Sequence, residues 1–197
     1  MRTPRIWLVQ PICLLVAVAF GLATVPTAGA GALNPSPPSF VTCTATGGGT
    51  ICRATLTTTF SFPKEFTCGT GASRFSLNEA GTTDREVVYR YDGAGNLTER
   101  VTRVTSLAGA FTNASTGKSV PESGHFTITH EYLTPGDLST DQTTFDGAFA
   151  VALVPGTGIV LHDAGHIVFA PNGDVLKEGG VHDYQNSDLT QLCAALS

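Results

Sequence analysis

The sequence has little positive charge and lacks the short motifs that mark common catalytic sites. Its 11 Lys and Arg residues are outnumbered by 16 Asp and Glu residues, for a net charge of −5. Nucleic-acid binding draws much of its affinity from clustered basic residues, so the composition argues against a nucleic-acid partner. The chain contains no Gly-x-Ser-x-Gly sequence for a hydrolase nucleophile and no Cys-x-x-Cys pair for a zinc site. We therefore expect no cofactor.

The first thirty residues have the parts of an export signal. Arg2 and Arg5 supply positive charge, an apolar stretch runs from Ile12 to Ala23, and Ala28-Gly29-Ala30 is typical of a cleavage site. The apolar stretch is shorter than the ~20 residues that a membrane-spanning helix needs. The sequence therefore predicts a signal peptide over residues 1–30, a secreted or extracellular protein, and no stable membrane span after processing.

Four cysteines follow the predicted cleavage site: Cys43, Cys52, Cys68 and Cys193. An even number of cysteines in an exported chain is typical of disulfides, and four cysteines allow three connectivities. A two-residue Gly47-Gly48 turn would place Cys43 opposite Cys52 in a hairpin, at a non-hydrogen-bonded position that brings the Cα atoms close. This arrangement favours a Cys43–Cys52 disulfide and leaves Cys68 to pair with Cys193.

Residues 31–39 differ in composition from the rest of the chain. They contain three prolines and show no periodicity, which predicts a flexible arm rich in Pro and Ser. Residues 40–197 then form a single predicted β-rich domain. From Cys52 to Phe62 apolar and polar residues alternate, as in a half-buried strand.

Further alternating segments are separated by turn residues: Arg85–Tyr91, Leu97–Leu107, Phe126–Leu133, Phe145–Val154, Ile159–His162, His166–Ala170 and Asp174–Glu178. In the hairpin around residues 92–96, a register that pairs Arg90 with Glu99 and Val88 with Val101 places opposite charges together. Turns are predicted at Asp163–Gly165 and at Asn172-Gly173.

These segments predict an all-β fold, an antiparallel β-barrel or barrel-like sandwich of about eight to ten short strands. A short C-terminal helix is predicted from Ser187 to Leu196, with Ser187 as its N-cap. Its apolar face would comprise Leu189, Leu192, Cys193 and Leu196. A disulfide from Cys193 to Cys68 would hold the helix over the sheet.

One segment resembles a known bacterial repeat. Tyr89-Arg90-Tyr91-Asp92-Gly93-Ala94-Gly95-Asn96-Leu97-Thr98 is similar to one unit of the YD repeats in Rhs-type toxin shells. Those proteins hold many units in tandem and this chain has one. We interpret the likeness as shared hairpin chemistry, an Asp/Gly/Asn turn between aromatic strand residues.

The whole layout resembles a set of uncharacterised secreted proteins from high-GC Gram-positive bacteria. The resemblance lies in the Ala-rich leader and in five short motifs: Gly49-Thr-Ile-Cys-Arg53, Phe111-Thr-Asn113, Thr116-Gly117-Lys118, Phe169-Ala-Pro-Asn-Gly173 and Leu192-Cys-Ala-Ala-Leu196. It implies a bacterial, exported, single-domain protein and implies no activity.

Four residues are candidate ligand contacts. The alternation Phe126, Ile128, His130, Tyr132 places His130 and Tyr132 on the apolar face of a strand, and Tyr89 and Tyr91 would face the same interior. A few polar groups on an apolar wall are typical of a small-molecule pocket. The alternative is a buried histidine and tyrosine that satisfy each other or the backbone.

A metal site at the remaining histidines is the less favoured interpretation. His162 and His166 flank the predicted Asp163–Gly165 turn, and Asp163, or His182 with Asp183, would supply a further ligand. However, the alternation assigns Ile159, Leu161, Ile167 and Phe169 to the buried face, so both histidines point to solvent. We therefore predict surface histidines and no metal site.

These observations favour a secreted, disulfide-stabilised β-domain that acts as a non-catalytic extracellular or envelope-associated binding protein. Its expected partner is a small apolar molecule or a component of the cell envelope. The alternative is a small-barrel enzyme of the cyclase or isomerase type, in which a cavity shapes a reactive substrate with few catalytic groups.

Overall fold

One antiparallel sheet makes up most of the described chain. The computed structural model describes residues 32–184 and 186–197, so the predicted signal peptide lies outside the described residues. Its elements are β1 (Thr42–Thr46), β2 (Gly49–Cys68), β3 (Phe75–Tyr91), β4 (Leu97–Asn113), β5 (Ser119–Tyr132), β6 (Asp141–Val154), β7 (Gly158–Phe169), β8 (Val175–His182) and helix α1 (Thr190–Leu196). The strands lie in chain order, each beside the next.

The predicted all-β fold with a short C-terminal helix is confirmed, with two corrections. The strands form one eight-stranded sheet instead of a two-sheet sandwich, and in the described part of the chain no pairing of β1 with β8 closes it into a barrel. The strands are also longer than predicted, up to the 20 residues of β2. Gly81 and Gly109 face each other within the longer paired strands.

Both hairpins whose registers were predicted are confirmed. Thr46 pairs with Gly49 and Cys43 with Cys52, and these two cysteines form a disulfide. In the second hairpin Arg90 pairs with Glu99, and Arg90 Nε lies 2.6 Å from Glu99 Oε2. Turn chemistry and cross-strand charge were therefore sufficient to fix the register locally.

The turn predicted at Asp163–Gly165 is wrong, because β7 runs straight through these residues. Gly165 lies opposite Gly147 on β6 and Gly180 on β8, with φ of +151°. A Cβ atom on Gly165 would collide with the carbonyl oxygen of Gly179. The glycine thus permits close approach of neighbouring strands instead of reversing the chain.

Two buried clusters occupy opposite ends of the sheet's inner face. The first cluster packs beneath α1 and contains Leu77, Phe111, Leu161, Leu192 and Leu196, all fully buried. The second cluster contains Cys52, Tyr91, Leu97 and Tyr132. On β3 these clusters are separated by the residues between Leu77 and Tyr91.

Residues 32–41, most of which belong to the predicted arm, pack against the second cluster. The Asn34 N–H donates to Gly95 O at 2.8 Å, and the Leu97 N–H donates to Asn34 O at 2.8 Å. Leu33 and Val41 pack on the cluster. The prolines prevent neither contact, because the bonded backbone groups belong to Asn34.

Helix α1 begins later than predicted, at Thr190. Ser187 has φ of +57° and is not the N-cap. The predicted apolar face is confirmed: Leu189, Leu192 and Leu196 are buried, and Cys193 is bonded to Cys68. No helix among the described residues is long and apolar enough to span a membrane.

Candidate functional site

A cavity of about 540 Å³ lies within the curl of the sheet. Inward-facing side chains from β2 to β7, together with Tyr184, form its walls. On β3 the lining residues run from Glu79 to Arg85, which places the cavity between the two buried clusters. The sheet therefore encloses a space that neither cluster fills.

Five phenylalanines give this cavity an aromatic wall: Phe60, Phe62, Phe126, Phe145 and Phe149. Phe149 makes edge-to-face contacts, with its ring centroid 5.7 Å from that of Phe126 and 6.0 Å from that of Phe145. Phe62 is 47% exposed although it lines the cavity, so the cavity opens to solvent beside β2. Such a wall is suited to an apolar or aromatic molecule.

The part of the cavity nearest the second cluster is polar. Arg85 lines it together with Thr58, Thr83 and Thr102. The hydroxyls of Thr58 and Thr83 lie 2.9 Å apart and share a hydrogen bond. Arg85 Nε is buried and has no hydrogen-bond partner among the residues that the structure describes. This site thus combines a cation with hydroxyl donors.

The opposite part of the cavity holds a pair of carboxyl groups. Glu79 lines the cavity and accepts a hydrogen bond of 3.0 Å from Tyr184 Oη. Glu122 is 4% exposed, and its carboxyl occupies the space that a side chain on Gly109 would take. Burial, and then the negative charge of Glu79, raises the pKa of Glu122 to about 8. Glu122 is therefore mostly protonated at neutral pH.

A second buried acid on the cavity wall is paired with a histidine. Asp163 Oδ1 lies 3.1 Å from His182 Nδ1, and both side chains are nearly inaccessible to solvent. His182 Nε2 lies 3.2 Å from Gly179 O. The Phe149 ring stacks on His182 at 5.9 Å. This arrangement fixes the wall behind Phe149.

His130, the leading predicted contact, lines a separate shallow depression instead of the main cavity. Its Nε2 accepts from Arg100 Nη2 at 2.6 Å, and its Nδ1 donates to Asp141 Oδ2 at 2.6 Å. Burial, opposed by the hydrogen bond to Asp141, lowers the pKa of His130 below its ordinary value of 6.5. The geometry and the pKa shift both favour a neutral ring whose two nitrogens are already satisfied.

The three predicted tyrosines lie at the second cluster, also away from the main cavity. Tyr91 and Tyr132 are buried members of that cluster and Tyr89 packs against it. Tyr91 Oη donates to Pro35 O at 3.1 Å. Burial raises the pKa of both Tyr91 and Tyr132 above 10.0. These side chains join the arm to the end of the sheet.

Alternation in the sequence placed His130 and the tyrosines inward together with Phe126 and Ile128, which do line the cavity, but it did not find Glu79 and Glu122. Glu79 and Glu122 lie on stretches of β3 and β5 that were not predicted as strands. The sequence pattern that could have found Glu79 is the alternation of Leu77, Glu79 and Gly81, in which a charged residue occupies an inward position.

The histidines considered for a metal site are separated. His166 Nδ1 lies 2.6 Å from Asp146 Oδ1 in a cross-strand pair, and the His162 backbone N–H donates to Asp183 Oδ2 at 2.9 Å. Across the described ranges, no group of three or more His, Cys, Asp or Glu side chains is placed to hold a metal ion.

The fold and the cavity together define a disulfide-stabilised all-β domain with an internal aromatic cavity. No protein-family model, curated protein or solved structure matches the chain.

Proposed function

We propose that this protein is a secreted, non-catalytic binding protein that holds a small apolar molecule in its central cavity. The observation that carries the proposal is the cavity of about 540 Å³ walled by five phenylalanines. Ligand pockets commonly have volumes of roughly 300–1,000 Å³ and mostly apolar walls. The predicted signal peptide supports export, and the two disulfides suit an oxidising compartment.

The energetic basis of binding is the transfer of apolar surface from water to the aromatic wall. Each Å² of apolar surface removed from water contributes about 25 cal/mol. The walls are formed by paired strands, so little ordering of the protein accompanies binding. The opening beside Phe62 provides a route of entry.

A fluorescence titration with N-phenylnaphthylamine, a neutral apolar dye, tests this function. The protein is expected to bind the dye saturably with a blue-shifted emission. Val104 lines the cavity and is 5% exposed, so Val104→Phe fills part of the cavity and is expected to weaken binding at least about tenfold.

The matched control is Val101→Phe, on the same strand but in the register position facing Val88. It adds the same side chain without entering the cavity and should leave dye affinity unchanged. Absence of saturable binding, or an equal loss in both variants, would count against the proposal. Thermal melts of both variants establish that each is folded.

The carboxyl pair favours one alternative, an enzyme of the cyclase or isomerase type. A carboxyl on the cavity wall, backed by a protonated Glu122 and the Tyr184 hydroxyl, is suited to moving a proton on a bound substrate. Deuterium exchange at the α-carbon of 2-tetralone, an apolar ring ketone, measures this ability. The alternative expects exchange faster than in buffer, lost in Glu79→Gln and retained in the exposed control Glu131→Gln. No acceleration would reject the alternative and leave the binding proposal standing.

A further inference from the structure

Among the residues that the structure describes, Arg85 makes no ion pair on the inner face of the sheet. It lies on β3 between Leu56 on β2 and Val104 on β4. Three other arginines have partners: Arg90 with Glu99, Arg103 with Glu86, and Arg100 with His130. The buried Nε of Arg85 has none among the described residues. An unpaired charge next to apolar groups is costly, so the site is favourable for an anion.

The acids on the cavity wall have partners of their own. Asp163 is paired with His182, and Glu79 accepts from Tyr184. Glu79 is six residues from Arg85 along β3, which at about 3.3 Å per residue separates their Cα atoms by ~20 Å. The cavity therefore has a positive region near Arg85, in register with Val104 and Phe126, and an acidic region farther along β3 at Glu79.

We propose that the ligand is a small monocarboxylate with a flat apolar body, anchored by Arg85. Its carboxylate would accept hydrogen bonds from the guanidinium and from the hydroxyls of Thr83 and Thr102, which line the same region. Its apolar body would lie against Phe126 and Phe149. A second carboxylate at the far end would meet the Glu79–Glu122 pair, so dicarboxylates are disfavoured. This inference rests on the proposed function of the cavity.

Competition by two probes of the same shape tests the inference. 2-Naphthoate carries a carboxylate and 2-naphthamide is its neutral counterpart, and each is titrated against the bound N-phenylnaphthylamine at neutral pH. Hydrogen bonds to a charged group are worth enough that naphthoate should bind about tenfold to a hundredfold more tightly. Naphthalene-2,6-dicarboxylate should bind more weakly than naphthoate.

Variants at Arg85 assign this preference to the guanidinium. Arg85→Met keeps the length of the side chain but removes its charge, so naphthoate should lose its advantage while naphthamide affinity stays within about twofold. Arg85→Lys should retain part of the preference. The control Arg53→Met, at an exposed position, should bind both probes like the unaltered protein.

Each outcome separates the two proposals. Equal affinity of the unaltered protein for naphthoate and naphthamide would overturn the carboxylate assignment and leave apolar binding intact. Failure to bind the dye or either probe would overturn the proposed function as well. Retention of the full preference in a folded Arg85→Met variant would show that another group holds the carboxylate. If Arg85→Met does not fold, the affinities of the unaltered protein for naphthoate and naphthamide still test the carboxylate assignment.

Discussion

Burial shifts the pKa values of two side chains on the inner face in opposite directions. It lowers the pKa of His130 and raises the pKa of Glu122. His130 is held as a neutral base between Arg100 and Asp141. Glu122 is held as a neutral acid beside Glu79. In both cases the low-dielectric surroundings disfavour the charged form. As the pH rises, His130 should therefore increase stability and Glu122 should decrease it, and the two pH ranges overlap.

Stability is expected to fall in mild acid because of His130. Its folded-state pKa lies below the ordinary 6.5, so the unfolded chain binds the proton more readily. The stabilisation is fully present above pH of about 6.5 and is lost as the pH falls toward the folded-state pKa. Because Glu122 acts with the opposite sign over the same pH range, the contribution of His130 is measured by difference. The stability of the unaltered protein relative to His130→Asn, from urea unfolding between pH of about 5 and 8, should fall as the pH drops below about 6.5. The exposed His125→Asn serves as the control, and parallel curves for all three proteins would contradict the assignment.

Glu122 is expected to lower stability as the pH rises between about 4.5 and 8. Its pKa is raised from 4.5 to about 8, so the folded protein binds the proton more readily than the unfolded chain. The stabilisation is fully present below pH of about 4.5 and is lost as the pH rises through 8, at up to ~1.4 kcal/mol per pH unit.

Glu122→Gln keeps the shape of the side chain without its charge. It should therefore be more stable than the unaltered protein by about 2–4 kcal/mol at pH 8, measured by urea unfolding. The control substitution Glu131→Gln, at an exposed position, should change the free energy of unfolding little. A Glu122→Gln variant that is less stable at pH 8 would show that the carboxylate form is needed.

Among the secondary-structure elements, α1 depends most on contacts outside itself. It has seven residues, too few for a helix that is stable alone. Leu192 and Leu196 are buried against the sheet, and Asn113 Nδ2 donates to Leu196 O at 3.0 Å. The Cys68–Cys193 disulfide joins this helix to the end of β2.

The two disulfides should contribute unequally to stability. Cys68 and Cys193 are 125 residues apart, whereas Cys43 and Cys52 are 9 apart. The chain-entropy model gives about 5 kcal/mol for the longer loop and about 2.5 kcal/mol for the shorter one. Urea unfolding of the two paired Cys→Ser variants measures both, and hydrogen exchange at residues 190–196 should rise in the variant lacking Cys68–Cys193. Equal losses would contradict the ranking.

Elements defined by local chemistry were predictable from sequence, and elements defined by distant contacts were not. The hairpins followed from Gly47-Gly48 and from the Arg90–Glu99 pair, because residues that meet across a tight turn are close in sequence. The role of Gly165 depends on Gly179 and on Gly147, which belong to other strands. Composition likewise could not reveal that Asn34 bonds to residues around 95–97.

At the scale of the whole molecule, three glycines form a continuous row across β6, β7 and β8. Gly147 faces Gly165, which in turn faces Gly180, and all three have positive φ. Glycines at such positions allow a sheet to bend sharply. This row of glycines thus lies beside the curved part of the sheet whose strands form the walls of the cavity. The interior site of this fold could be predicted only as an apolar strand face, because the enclosed space arises from that curvature.

Substitution of Gly165 should disturb both the sheet and the cavity. In Gly165→Ala the added Cβ collides with backbone of β8, and the expected cost is about 2–4 kcal/mol of stability. Dye affinity should fall with it. Gly179→Ala on the same pair of strands is the control, since a Cβ there meets nothing within 4 Å. Unchanged stability and dye affinity in Gly165→Ala would show that the glycine row does not determine the shape of the cavity.

The order of the strands also constrains the order of oxidation. Since each strand pairs with its neighbour in the chain, the sheet can grow hairpin by hairpin from the N-terminal end. Cys43 and Cys52 meet in the first hairpin, so their thiols are consumed before Cys193 is available. Early formation of the Cys43–Cys52 disulfide oxidises the two thiols nearest to Cys68 in sequence. Cys68 is thereby protected from mispairing with them until Cys193 is available.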